Sequence, residues 1–160
     1  MRLLIVVWAA ILACGISLPA TSFAAGSLVH ARDFKADARE AAKRQVPIMV
    51  VFTSPGCHYC DRVKREYLAP LQKDPAYRKQ VIIRELEVGS SRPLTLFDGT
   101  KSTEGAFAAE HKVFMVPTIL VFDTRGEATS EPIIGLLTPD YYFGYIQNAI
   151  NDGLSKVRGK

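Results

Sequence analysis

The stretch from Val46 to Cys60, VPIMVVFTSPGCHYC, decides the fold. Its first half, Val46 to Thr53, is a short apolar run rich in β-branched residues, which is typical of a buried strand. Ser54-Pro55-Gly56 ends that strand. The motif Cys57-His58-Tyr59-Cys60 follows at the point where helix-forming residues begin. A Cys-x-x-Cys motif between a buried strand and a helix indicates redox chemistry.

The spacing of Cys57 and Cys60 suits a reversible disulfide, because two cysteines three positions apart at a helix start can bring their sulfurs within bonding distance. Free N–H groups and the positive end of the helix dipole favour a thiolate at Cys57, which makes it the candidate nucleophile. Cys60 lies further into the helix, and we expect it to be the resolving thiol. His58 would stabilise the thiolate when protonated, or it is an exposed residue with little effect. Tyr59 has a tuning, packing or substrate-contact role.

Three other interpretations of the cysteine pair remain open. A purely structural disulfide would constrain the unfolded chain little, because the loop it closes is very short. A zinc site would need a second pair of ligands, and the sequence holds no other Cys-x-x-Cys and no His-x-x-x-His. A copper site would combine the two cysteines with His58 or His111.

The composition is that of one globular domain. The chain has 160 residues, of which 48% are hydrophobic and 22% charged, and this balance excludes a disordered protein. The length allows one domain. There are 20 basic and 16 acidic residues, for a net charge of +4, and so small a surplus does not favour nucleic-acid binding. Three cysteines exclude a miniprotein held together by several disulfides.

The N-terminus has the pattern of a secretory signal peptide. Arg2 precedes an apolar run from Leu3 to Ala13, and small residues follow, with cleavage expected after Ala24 or Ala25. The apolar run is shorter than a typical membrane span of about 20 residues. We therefore predict a signal peptide over residues 1–25 and a single domain over residues 26–160.

Cleavage would remove Cys14 and leave Cys57 and Cys60 as the cysteines of the mature chain. Export would also place that pair in a compartment where disulfides form and persist. An uncleaved membrane anchor, or a lipoprotein with its lipid on Cys14, is the alternative interpretation of the N-terminus.

Hydrophobic periodicity predicts alternating helices and strands. Helices are predicted over residues 31–45 and 57–68, from residue 74, over 104–111, and from a Thr138-Pro139 cap to about residue 151. Strands are predicted over residues 46–53, 81–88, 117–123 and around 132–134, with a loop over 89–103. Pro70 is expected to end or kink the second helix. A βαβ unit followed by a ββα unit predicts an α/β fold, with one mixed sheet covered by helices on both faces.

Together these residues resemble the thioredoxin superfamily, over about residues 30–152. The resemblance rests on the strand VPIMVVFT, on Cys57-His58-Tyr59-Cys60, and on Val116-Pro117-Thr118 directly before an apolar strand. The chain is similar to exported thioredoxin-related proteins of the SoxW type in the stretches FTSPGCHYCDRVKREYLAP, LFDGTKSTEGAFAAEHKVFMVPTILVFDTRGE and IIGLLTPDYYFGYI. The resemblance implies the thioredoxin fold, with Pro117 as a cis proline that lies against the active-site disulfide.

The resemblance also implies a function. Proteins of this type are commonly periplasmic thiol–disulfide oxidoreductases, often kept reduced by a membrane electron conduit of the CcdA/DsbD type. Val116, Pro117 and Thr118 would bind substrate, with the backbone of Val116 pairing with an extended segment. No cofactor is implied beyond the redox-active disulfide Cys57–Cys60.

We expect a monomer that acts as a disulfide reductase on exported, cysteine-containing proteins. Two alternatives stay open. One is an oxidase or isomerase of exported proteins, which His58 beside Cys57 would favour. The other is a redox-inert binding or metal-delivery module.

The sequence departs from ordinary thioredoxin around the motif. Gly56 stands where thioredoxin has Trp, and His58-Tyr59 replaces Gly-Pro. Val51 occupies the position of the buried acid, six residues before the first cysteine. Proton transfer to and from Cys60 must then use water or another group, and the candidates are Glu85, Glu87 and Lys64. These differences leave the direction of electron flow open. Arg62, Lys64 and Arg65 form a basic cluster that is typical of a solvated helix face.

Overall fold

The computed structural model describes residues 27–159. The predicted signal peptide and Cys14 lie outside the described residues. None of the helices within residues 27–159 is both long and apolar enough to cross a membrane.

Helices and strands alternate along the described part of the chain. The helices are α1 (Phe34–Arg44), α2 (His58–Val63), α3 (Ala69–Lys73), α4 (Pro75–Arg78), α5 (Glu104–Glu110) and α6 (Pro139–Arg158), with a π-helical segment (Lys64–Leu68) between α2 and α3. The strands are β1 (Ile48–Thr53), β2 (Ile82–Glu87), β3 (Pro93–Thr95), β4 (Lys101–Thr103), β5 (Thr118–Phe122) and β6 (Ile133–Ile134).

The main sheet is mixed and has the strand order β2-β1-β5-β6. β1 pairs parallel with β2 and antiparallel with β5, and β6 pairs antiparallel with β5. Every residue of β1 is buried, because the strand is central and its apolar side chains face the core on both sides. Helices flank the sheet, with α1 packed on β1, α5 on β2 and α6 on β5. The predicted α/β fold with a mixed sheet is therefore confirmed.

The strand register brings three chain segments to one edge of the sheet. Thr53, the last residue of β1, lies opposite Glu87 at the end of β2. Phe52 lies opposite Thr118 at the start of β5. The segment that leaves β1 and the segment that enters β5 are therefore neighbours. The first of these carries the cysteine motif.

The prediction of a loop over residues 89–103 is wrong. These residues form a separate two-stranded hairpin of β3 and β4, with Asp98-Gly99 in its turn. The Phe97 ring packs on the ring of Phe34 in α1, with centroids 4.9 Å apart. The hairpin is thus fixed by a contact with a distant helix, whereas its own strands are only three residues long and partly exposed.

The helix that follows the cysteine motif does not end at Pro70. A π-helical turn comes first, in which the N–H of Ala69 donates to the carbonyl of Lys64. Pro70 is the second residue of α3 and lies directly after this π-helical turn, not at the end of the helix. The helical path therefore continues to Lys73.

The last helix is longer than predicted. α6 continues to Arg158 and ends at Gly159, whose φ of 66° closes the helix in the left-handed region. Thr138 precedes the helix, but its side chain makes no capping hydrogen bond. Pro139 supplies the start instead, because its fixed φ suits the first helical position.

Two glycines of α6 give a matched test of this packing. A Cβ on Gly153 would lie 2.7 Å from the Cβ of Pro47 and 2.9 Å from Cγ1 of Val121, whereas Gly144 faces open space. We expect Gly153→Ala to lower the free energy of unfolding by about 1–3 kcal/mol through overpacking. Gly144→Ala should raise it by about 0.5–1 kcal/mol, because alanine favours the helix. Urea denaturation measures both, and equal effects would contradict the close contact at Gly153.

Candidate active site

The two cysteines meet at the amino end of α2, where they form a disulfide with Cα atoms 5.2 Å apart. Cys57 is the N-cap of the helix, and its Sγ accepts a hydrogen bond from the N–H of Cys60 at 3.1 Å. Cys57 is half-buried, whereas Cys60 is 1% exposed. A substrate can therefore reach the first sulfur, and the second is covered by protein.

The turn before the motif fixes where Cys57 begins the helix. Gly56 has a φ of 72°, in the left-handed region that side chains other than glycine rarely adopt. The N–H of Cys57 donates to the carbonyl of Ser54 across this turn. The sulfur of Cys57 consequently lies at the free N–H groups of the first helical turn, which stabilise a thiolate there.

The two residues between the cysteines lie on the solvent side of α2. His58 is exposed and Tyr59 is 58% exposed, and their ring centroids are 6.1 Å apart in an edge-on arrangement. Both can contact a bound substrate from these positions. Their effect on the redox properties of the pair stays a prediction.

The segment Val116-Pro117-Thr118 lies at the same edge of the sheet as the motif. The Val116–Pro117 peptide bond is cis. Pro117 is buried, and its carbonyl accepts a hydrogen bond from the N–H of Gly135 at 2.7 Å. The Thr118 hydroxyl donates to the carbonyl of Met115 at 2.8 Å. These bonds fix the segment beside the cysteine loop, and its predicted part in substrate binding is untested.

Two apolar side chains next to this segment are unusually exposed. Phe114 is 85% and Met115 62% exposed. They border a cavity of about 170 Å³ that extends to Ile134. The sequence analysis missed both, because an apolar pair just before a buried strand resembles core. A larger cavity of about 450 Å³ lies between β6 and α6 and contains none of the predicted site residues.

A buried carboxylate, that of Glu85, lies on the strand next to β1. Glu85 of β2 is 6% exposed and directly opposite Val51 of β1. Its Oε1 accepts hydrogen bonds from the Thr53 hydroxyl at 3.0 Å and from Nζ of Lys64 at 3.1 Å. Burial lowers the pKa of Lys64, but the hydrogen bonds and charges of Glu85 and Asp61 outweigh it and hold that pKa above its ordinary value.

The structure distinguishes the three candidates for proton transfer by the partner that each one has. Glu85 and Lys64 are paired beside the cysteine helix, whereas Glu87 is half-buried and pairs with Arg92 at 3.1 Å. Lys64 therefore does not belong to a solvated basic face, because its ammonium turns inward. Arg62 remains on the outer side and pairs with Glu66 at 2.9 Å.

Within residues 27–159, no group of three or more His, Cys, Asp or Glu side chains is arranged to hold a metal ion. His111 packs between the rings of Phe107 and Phe122, with centroid distances of 4.3 and 5.0 Å. Burial lowers the pKa of His111 and favours its neutral form. These contacts give His111 a packing role.

Comparisons with known proteins agree with this geometry. The family model described as a thioredoxin-like domain matches residues 34–150. A thioredoxin-fold protein from Helicobacter pylori is 18% identical with a TM-score of 0.55, over 71% of this chain and 73% of that chain. This likeness shows the fold. No curated protein sequence matches the chain significantly.

Two further solved structures are similar at lower scores. The periplasmic thioredoxin SoxS from Paracoccus pantotrophus is 17% identical with a TM-score of 0.47, over 66% of this chain and 97% of that chain. Mitochondrial thioredoxin 3 from Saccharomyces cerevisiae is 18% identical with a TM-score of 0.49, over 78% of this chain and 94% of that chain.

Proposed function

The chain belongs to the thioredoxin-like domain family, and from this premise we propose that it is an exported disulfide reductase. Family membership and the Cys57–Cys60 disulfide make it a thiol–disulfide oxidoreductase. The observation that carries the exchange chemistry is the unequal burial of Cys57 and Cys60 at a helix start, and we propose the reducing direction from the resemblance to exported thioredoxin-related proteins. An accessible sulfur can attack a substrate, and a covered sulfur can resolve the product.

The proposed cycle starts from the reduced pair. The Cys57 thiolate attacks one sulfur of a substrate disulfide, forms a mixed disulfide, and displaces the other substrate sulfur as a thiolate. The Cys60 thiol loses its proton and attacks the Sγ of Cys57. The Cys57–Cys60 bond then forms while the second substrate thiolate leaves. Two electrons pass from the pair to the substrate, and the pair ends as the disulfide.

Exposed side chains of the cysteine motif and of the segment before β5 suit a polypeptide substrate. Tyr59, Phe114 and Met115 are exposed and apolar or amphipathic, and such side chains bind segments of another protein. Pro117 lies at the same sheet edge, so an extended segment that carries a disulfide could contact the cysteine loop and the start of β5 together. The proposed substrates are exported, cysteine-containing proteins.

Export and re-reduction complete the proposal. The N-terminal pattern of Arg2, an apolar run and small residues supports secretion to the periplasm. A reductase in an oxidising compartment needs a continuous source of electrons, and we propose a membrane donor of the CcdA/DsbD type. The proposed working form is a monomer.

One protein preparation tests both the direction of electron flow and the cellular location of the protein. Protein is recovered from the periplasmic fraction of expressing cells, and its Cys57–Cys60 pair is equilibrated with thiol buffers of known potential. We expect a standard potential near the reducing end of the range of roughly −270 to −120 mV. We also expect a mature N-terminus just after Ala24 or Ala25 by mass spectrometry. A potential near the oxidising end would support the oxidase alternative that His58 favours, and full-length protein in the cytoplasm would refute export.

A further inference from the structure

The cavity between β6 and α6 has the size of a site for a small organic molecule. Its volume is about 450 Å³, within the range of roughly 300–1,000 Å³ that such sites occupy. Its walls are mainly apolar and include Ile133, Ile134, Leu137 and Ala149. Leu137 is 87% and Ile134 45% exposed, so a molecule can enter from the surface. The reaction proposed above gives this cavity no role.

Two buried hydroxyl groups belong to residues of the cavity wall. The hydroxyls of Tyr142 and Ser130 are buried and have no hydrogen-bond partner within residues 27–159, and both residues line the cavity. Tyr142 is 1% exposed, and burial raises the pKa of its hydroxyl, which therefore stays neutral. Buried polar groups are almost always paired with protein or water. A ligand with a hydrogen-bonding atom would supply the partner that Tyr142 lacks.

Two carboxylates lie at one end of the cavity. Glu131 and Asp152 line it and are exposed, and both belong to segments that contact Val121 of β5. The N–H of Thr129, two residues before Glu131, donates to the carbonyl of Val121. Gly153, the residue after Asp152, packs against the Val121 side chain. Among the described residues that line the cavity, none is Lys, Arg or His, so a cation has the complementary charge.

Tyr142 lies at the opposite end. Tyr142 and Asp152 are almost three turns apart on α6, about 15 Å along the helix axis. The wall at this end includes Ile134, which pairs with Thr118 at the start of β5. A molecule that fills the cavity therefore meets carboxylates at one end, apolar side chains along its length and Tyr142 at the other end.

We propose that this cavity binds an organic cation with an apolar body and a hydrogen-bonding group at the end remote from its charge. The cation lies at Glu131 and Asp152, and the remote group bonds to the hydroxyl of Tyr142. The exposed ring of Tyr145 also lines the cavity and adds an aromatic surface that favours a cation. The site goes beyond disulfide exchange, because its lining includes neither the cysteine motif nor the segment 116–118.

Tyramine has all three features and is the probe, together with three matched molecules. Phenethylamine lacks the hydroxyl, para-ethylphenol lacks the amine, and hydroxyphenylpropionate carries a carboxylate in place of the amine. Isothermal titration calorimetry on the oxidised protein should give the lowest Kd for tyramine. We expect phenethylamine to bind about 2–10-fold more weakly, the contribution of one hydrogen bond. We expect a loss of about 2–10-fold for para-ethylphenol, because the carboxylates are exposed, and the weakest binding for hydroxyphenylpropionate.

Variants assign each preference to its residues. Tyr142→Phe keeps the ring that packs on Tyr67, with centroids 4.9 Å apart, and should abolish the advantage of tyramine over phenethylamine. The double variant Glu131→Gln, Asp152→Asn should abolish the advantage of tyramine over para-ethylphenol. Asp140→Asn is the matched control, because Asp140 lies on α6 outside the cavity lining, and it should change neither preference.

The stability of Tyr142→Phe completes the test. This variant loses a buried hydroxyl without a partner, so its midpoint of urea unfolding should be no lower than that of the native chain. A lower midpoint would show that the hydroxyl is bonded within the protein and would overturn its assignment to a ligand. The proposal also fails if no probe binds at millimolar concentration, if hydroxyphenylpropionate binds as tightly as tyramine, or if either preference survives in its own variant.

Discussion

Cys57→Ser is expected to reduce the catalysed reduction of protein disulfides to the uncatalysed level. A serine hydroxyl at the N-cap of α2 can accept the same hydrogen bond from the N–H of Cys60, so the helix start should survive the substitution. What is lost is the sulfur that attacks substrate, and Cys60 cannot replace it because it is buried. The measurement is the rate of insulin reduction with dithiothreitol as electron donor.

Cys14→Ser is the matched control, because it removes a thiol that precedes the residues matched by the family model, and it should leave the rate unchanged. A Cys57→Ser protein with more than a few per cent of the original rate would refute the assignment of Cys57 as nucleophile. If the same variant also supported growth as well as the native chain in cells that depend on the protein, the redox-inert module would become the better interpretation.

The central elements could be predicted because their sequence determines them locally. β1 is a continuous apolar run that the structure buries completely, and the turn at Gly56 that ends it is visible as Ser-Pro-Gly. The motif follows at a helix start, so the placement of Cys57 and Cys60 follows from strand, turn and helix in sequence. For the same reason, Asp74-Pro75 marks the start of α4, where the Asp74 side chain accepts a hydrogen bond from Ala76.

The hairpin of β3 and β4 could not be predicted, since its stability depends on a contact between residues far apart in sequence. Phe97 stacks on Phe34, and nothing near Phe97 indicates that partner. The strands themselves alternate weakly and contain Pro93, which favours a loop. Packing on α1 overrides this local preference.

The environment of Glu85 illustrates a limit of a different kind. Glu85 and Glu87 are two residues apart on one strand and therefore point to the same face of the sheet. The alternation of side chains along the strand cannot distinguish their environments. What separates them is the partner of each: Lys64 for Glu85 and Arg92 for Glu87. Lys64 itself lies between Arg62 and Arg65 in sequence, and its contact with the buried Glu85 in the structure is what distinguishes it from them.

Cys60→Ser is expected to convert a transient mixed disulfide into a stable one. Cys57 keeps its place at the helix start and still attacks substrate, but the serine hydroxyl at the buried position cannot displace the bound substrate sulfur. In a Cys14→Ser background, incubation with a disulfide-containing protein should give an adduct of one enzyme and one substrate chain. Non-reducing electrophoresis and mass spectrometry detect the adduct, and dithiothreitol should release it.

The variant that lacks both Cys57 and Cys60 is the control and should form no adduct. The comparison with Cys57→Ser is the more informative one, because that protein keeps a cysteine with 1% exposure. If Cys57→Ser formed as much adduct as Cys60→Ser, substrate could reach the buried sulfur. The assignment of Cys57 as nucleophile and Cys60 as resolving thiol would then be wrong. If neither variant formed an adduct while the native chain turned over, reduction would proceed without a mixed disulfide on this pair. Accumulation on Cys57 alone would show that Cys57 attacks substrate and that Cys60 resolves the mixed disulfide, as the unequal burial of the two residues predicts.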